Sequence, residues 1–288
     1  MLDLVVGPFA EFEFLRRALV GTTALALAGA PVGVFLMLRR MSLTGDAMAH
    51  AILPGAAIGY LVAGLSLPAM TVGGLAAGIV VAVLSGLVAR ATALKEDASL
   101  AAFYLVSLAL GVVIVSLRGS NVDLLHVLFG SVLALDDAAL LLLAGVATVT
   151  LLTLALLYRP LVAECVDPHF LRSVSRAGPA THLVFLGLVV LNLVGGFHAL
   201  GTLLAVGLMM LPAAASRFWT AEITGMIATA TLIGVASGAA GLLLSFHLSL
   251  PAGPAIVLAA GAAALLSLAL GREGGLVWTL LPRRHLEA

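Results

Sequence analysis

The chain has 288 residues, 62% of them hydrophobic and 10% charged, with no net charge at pH 7. Several uncharged stretches of about 20 residues or more exclude a water-soluble globular domain and predict an all-α, polytopic transmembrane helical bundle. The charge balance gives no ground for nucleic-acid binding, and the single cysteine, Cys165, excludes a disulfide framework or a cysteine-built zinc site within one chain.

At the N-terminus Asp3, Glu11 and Glu13 precede Arg16 and Arg17, the wrong order for the basic start of a cleavable signal peptide, so the first span is expected to stay in the protein. Nine spans are predicted, at 18–38, 46–64, 68–89, 99–117, 138–158, 182–196, 201–216, 223–246 and 253–270, forming one transmembrane domain over 1–288. The sixth and seventh form the ambiguous pair, because residues 183–216 are one uncharged run, too long for a straight crossing and short for two. Basic residues decide between the readings. Nine spans put Arg39, Arg40, Arg90, Lys95, Arg159, Arg172, Arg176, Arg217, Arg272, Arg283 and Arg284 on one side and Arg16, Arg17 and Arg118 on the other, whereas eight spans divide them evenly. The positive-inside rule therefore favours nine, with a break near Gly195-Gly196-Phe197-His198, the N-terminus outside and the C-terminus cytoplasmic.

Between the fourth and fifth spans, residues 119–137 carry Asn121, Asp123, His126, Asp136 and Asp137 on the outer side and read as a short surface or re-entrant segment. Small-residue pairs at Gly55 and Gly59, Gly74 and Gly78, and Gly234 and Gly238 would let helices approach closely. The longest inward connection, within 163–179, has legible helix punctuation. Asp167 can cap, Pro168 suits the first turn, Phe170, Leu171 and Val174 make a small apolar face beside Arg172, and Gly178-Pro179 is expected to stop the helix.

Residues 51–89 carry no charge, yet Asp46 and His50 stand at the entrance to that run, four positions apart and so on one helix face. Ionisable groups at a span cost free energy and point by default to a substrate path. The pair supplies two metal ligands where Zn²⁺ usually takes four and Mn²⁺ or Fe²⁺ up to six, so a twofold homodimer would be needed to complete a site. The spacing alone leaves a second reading open, in which Asp46 caps the helix and His50 is a polar packing residue. Placing the pair at mid-membrane would require a bend at Pro31 or a deep start to the second span. Asp123, His126 and His198 read as solvated or span-end groups, His247 and His285 as interfacial, and Met37, Met209 and Met210 as core filling. There is no G-x-x-x-x-G-K-[ST], H-E-x-x-H or G-x-S-x-G, so the chain is expected to be neither an ATPase nor an intramembrane hydrolase.

The segment from Arg39-Arg40-Met41-Ser42 through Gly45-Asp46-Ala47 and His50-Ala51 to Leu53-Pro54-Gly55 resembles the "RRxSxxGDAxxHAxLPG" pattern of the permease subunits of bacterial ABC importers for zinc, manganese and iron. A second block, from Ala199-Leu200-Gly201-Thr202 to Leu211-Pro212-Ala213-Ala214-Ala215, is similar to that family's "VGxLLvxxLLxxPAAtA". Val166-Asp167-Pro168-His169-Phe170 to Gly178 resembles its ATPase-docking loop, although His169-Phe170-Leu171-Arg172 departs from the more usual acidic residue and alanine. The resemblance implies a multi-pass protein of the bacterial cytoplasmic membrane. It implies a pore formed with a second copy of the chain, a cytoplasmic ABC ATPase dimer and an extracytoplasmic solute-binding protein. It implies that Asp46 and His50 coordinate Zn²⁺, Mn²⁺ or Fe²⁺ in transit, with no permanently bound cofactor. The ATPase-coupling residues would be Asp167, Pro168, Phe170, Leu171, Arg172, Val174 and Gly178. The competing readings are a secondary metal/proton transporter or channel without an ATPase, and an ABC permease for a metal chelate.

Overall fold

The computed structural model describes residues 2–41, 43–64, 66–92, 96–117, 132–166 and 177–280, and the regular structure among them is helical throughout. A short helix α1 (Leu2–Glu11) leads into α2 (Glu13–Leu38), followed by α3 (Thr44–Ala51), α4 (Leu53–Ala63), α5 (Leu67–Ala91) and α6 (Glu96–Leu117). A 3₁₀ turn (Val132–Ala134) precedes α7 (Asp137–Val166), α8 (Ala177–Leu200), α9 (Thr202–Ser216), α10 (Ile223–Leu248), α11 (Ala252–Leu270) and the short α12 (Leu276–Leu280). With α3 and α4 counted together, 7 units among the described residues are long and apolar enough to cross a membrane, and Ala98–Ile114 and Thr202–Ser216 are shorter apolar helices. All fall on stretches where spans are predicted. The second stretch is not one straight helix, however: it breaks at Ile52, where Pro54 has no N–H to continue the ladder.

α2 and α8 are the inner helices, 72% buried over their most apolar windows, against 28% for α5, α7 and α11. The peripheral helices turn their apolar faces outward, as a bundle solvated by lipid requires. Without a hydrophobic drive between helices in lipid, close packing has to hold the bundle, and small residues permit it. Gly55 and Gly59 lie against the backbone of α5, Gly74 and Gly78 against Val194 and Val190 of α8, and Gly234 and Gly238 against Ala26 and Thr22 of α2. Between α7 and α8, Asn192 Nδ2 donates to Thr150 Oγ1 at 2.9 Å and to the Leu188 carbonyl at 2.8 Å, a buried polar link across an apolar interface.

The ambiguous run at 183–216 folds back on itself. α8 and α9 meet at Gly201, whose φ of 95° lies in the left-handed region open to glycine, and Gly196 packs against Ala205 of the returning helix. The break expected near Gly195-Gly196-Phe197-His198 thus comes a few residues later. Gly195 and Gly196 are used instead for close contact with Val146 and Ala205. Gly178 and Pro179 lie in the first turn of α8, where a proline's missing N–H costs nothing, and the helix they are expected to stop lies outside the described residues.

The end of α2 fixes the direction in which the chain leaves for α3. Arg40 N–H donates to Met37 O at 3.0 Å and Met41 N–H to Leu36 O at 2.9 Å, the two reversed bonds of a Schellman stop, and Leu36 and Met41 share one apolar cluster. Arg40, at φ 59°, occupies the left-handed position usually given to glycine. Replacing Arg40 with Gly is therefore expected to raise stability by about 1 kcal/mol. A higher unfolding midpoint in detergent would bear this out, and a lower one would mean that the arginine side chain contributes more than the backbone relief.

Candidate metal path and the helix ends around it

α3 is packed against α2, α5, α6, α8 and α9. Its N-cap position is Leu43, with no side-chain cap bond, so Asp46 falls in the third helical position and does not cap the helix. Asp46 is instead a first-turn carboxylate, which the helix N-terminus favours. Gly45 sits against Met209 and Met210 of α9, where a side chain at 45 would strike the Met209 methyl, so α9 fixes the start of α3 closely. At the other end the Ser107 hydroxyl donates to the Ala51 carbonyl at 2.9 Å, satisfying backbone beside the break.

On this helix His50 Nε2 and Asp46 Oδ1 are 3.9 Å apart, with the Asp46 side chain 67% and the His50 side chain 29% exposed. The separation is too long for a hydrogen bond. A divalent ion with bonds of about 2.1 Å to each donor fits between them. The His50 ring stacks on Tyr104 of α6, with centroids 6.3 Å apart and planes 28° apart, which orients the imidazole. His50 Nδ1 is buried without a hydrogen-bond partner, so the ring contact with Tyr104 is what orients the imidazole. The acid is largely exposed on the single chain. Among the described residues no group of three or more His, Cys, Asp or Glu side chains is placed to hold a metal ion.

The remaining candidates separate from this pair. His198 donates from Nδ1 to the Val194 carbonyl at 2.9 Å, one turn back on α8, and His247 is exposed beside Phe246. Met209 is buried core, as expected, and Met210 is partly buried beside it. Asp123, His126 and His285, and the coupling residues Asp167, Pro168, Phe170, Leu171, Arg172 and Val174, lie outside the described residues. Gly178, the last of the coupling set, is in α8.

Sequence reasoning missed a buried ionic cluster. Arg39, at the end of α2, donates from Nη2 to Glu164 Oε1 at 2.8 Å, and both side chains are only 8% exposed. The same nitrogen meets His182 Nδ1, which lies 3.7 Å from that carboxylate oxygen, and the guanidinium carbon stands 4.9 Å from the centre of the Phe185 ring. A carboxylate inside an apolar helix end must find a cation, and that rule applied to Glu164 was the signal available. At the opposite end of the same helices Arg17 pairs with Asp137 at 3.0 Å, so α2 and α7 run in the same direction.

Comparison with known proteins agrees with this architecture. Over 267 residues, 93% of this chain and 94% of the relative, the chain is 30% identical to the manganese import system permease protein ScaB of Streptococcus parasanguinis. It is 29% identical over 258 residues, 90% of this chain and 85% of the relative, to the chelated iron transport system membrane protein YfeD of Yersinia pestis. The fold is similar to that of PsaBC from Streptococcus pneumoniae, solved in complex with Fab, with a TM-score of 0.84 and 26% identity over 97% of this chain and 99% of that one. The family description "ABC 3 transport family" matches residues 11–271, and the chain belongs to that family.

Proposed function

We propose that this chain passes a divalent transition-metal ion, Zn²⁺, Mn²⁺ or Fe²⁺, between the Asp46 and His50 side chains of two copies related by a twofold axis. As a family member it is the multi-pass membrane permease subunit of a metal ABC importer and is not itself catalytic. It has no G-x-x-x-x-G-K-[ST], so ATP hydrolysis is assigned to a separate ATPase dimer and delivery of the ion to a solute-binding protein on the outer side. The observation that carries the reading is the pair itself, two donors 3.9 Å apart with the acid largely exposed on the single chain. Two copies bring four donors together, enough for a closed ion site. One carboxylate and one imidazole per chain suit all three metals, and the relatives named for manganese and chelated iron fit that breadth.

The reading places nine spans in the bacterial cytoplasmic membrane, N-terminus outside and C-terminus cytoplasmic. The fold-back at Gly201 and the excess of arginine on one side support that count. Residues 167–178 then face the cytoplasm and meet the ATPase, whose binding and release of ATP would alternate the bundle between outward- and inward-open states. Copurification is the test: the chain is expected to hold a Walker-motif protein and, reconstituted with it, to accumulate Mn²⁺ in liposomes only with ATP. Uptake driven by a proton gradient without ATP would make the chain a secondary transporter instead.

A further inference from the structure

We infer that the buried Arg39–Glu164–His182 cluster couples the helix ends flanking residues 167–176 to the helix that carries Asp46 and His50. The inference rests on the proposed assignment of 167–178 to the ATPase. Glu164 is two residues from the end of α7, and His182 is in the second turn of α8, so the cluster ties together the two helix ends on either side of that segment. Its third member, Arg39, is the residue on which α2 ends. Asp46 lies seven positions later, past the Schellman stop and the buried Met41.

Displacement of the α7 and α8 ends therefore has two outcomes. It carries Arg39 and the start of α3 with it, or it separates a buried ion pair and strands two charges away from water, which is strongly unfavourable. Phe185 reinforces the first outcome, because the guanidinium stacks over a ring that belongs to α8 itself. The cluster also has room for a second arrangement. Arg39 Nη1 and Glu164 Oε2 are both buried without partners, although an arginine and a carboxylate can pair through two parallel bonds. A small slide of α7 along α2 would engage both atoms, giving the two-state element that transmission between distant sites requires. Arg39, Glu164 and His182 act here as positioning residues. They do not touch the ion.

The test uses the assembled transporter in liposomes, with its ATPase and its metal-loaded solute-binding protein, and records Mn²⁺ uptake and phosphate release together. Glu164→Gln is expected to assemble and hydrolyse ATP while Mn²⁺ transported per ATP falls by about tenfold, within the range of coupling between distant sites. A double variant, Arg39→Met with Glu164→Leu, removes both charges while keeping volume, which buried ion pairs tolerate. It is expected to assemble and to show the same fall. An unchanged ratio in either variant overturns the inference. Failure of both to assemble also overturns it, since the cluster would then be a structural staple alone. Wild type and Asp46→Asn run in the same liposomes keep the two ideas apart. If wild type needs no ATP, or Asp46→Asn transports normally, the functional reading fails; if both behave as expected and Glu164→Gln keeps its ratio, only the coupling role fails.

Discussion

Asp46→Asn and His50→Ala are each expected to leave the chain folded in the membrane and to lower ATP-driven Mn²⁺ uptake at least about 100-fold, because losing even a supporting group at a metal site commonly costs 10–100-fold. This loss should come without destabilisation. The Asp46 side chain is 67% exposed, its separation from His50 is 3.9 Å, and it caps nothing, so its amide isostere disturbs no bond that holds α3 in place. His50→Ala removes a ring from the face of Tyr104, a modest packing loss by comparison. A structural role would show as lost protein in the membrane; a ligand role shows as lost uptake by protein that is present at normal levels. Substitution of a softer donor sharpens the distinction. His50→Cys should shift preference from Mn²⁺ toward Zn²⁺ or Cd²⁺, since thiolate favours softer ions. Normal Mn²⁺ uptake by Asp46→Asn would remove the pair from the path.

Why the pair was visible in the sequence and the cluster was not is a matter of how each is encoded. Asp46 and His50 are four residues apart at the edge of an uncharged run, so helical periodicity alone puts them on one face. Arg39, Glu164 and His182 come from three helices and meet only when α2, α7 and α8 pack, which no local pattern announces. The long apolar helices were legible because lipid demands about 20 apolar residues for each crossing. The exceptions all involve proline or glycine doing something tertiary. Pro54 breaks the second stretch, and Gly195 and Gly196 pack against neighbours while Gly201 makes the turn. Glycine and proline announce irregular backbone in sequence, but the packed neighbours decide which kind.

Gly33→Val is expected to be strongly destabilising. A Cβ at position 33 would collide with the Met209 carbonyl and come close to the Ala213 side chain, so α2 and α9 are in contact backbone to backbone. A flexible side chain could yield to the added atoms; a helix backbone cannot do so without moving the whole element. Overpacking a core ordinarily costs about 1–3 kcal/mol, and more where backbone must shift. Movement of α9 would also reach the proposed ion path, because Met209 and Met210 lie against Gly45, next to Asp46. The expected result is a sharp fall in monodisperse protein and in unfolding midpoint, with uptake lost in whatever protein survives. Gly145→Ala is the control: nothing lies within 4 Å of the added Cβ, and alanine is the better helix former by about 1 kcal/mol, so stability should hold or rise. If Gly33→Val unfolded at the wild-type midpoint, the backbone contact between α2 and α9 could not be what holds the start of α3, and Asp46 with it, in place.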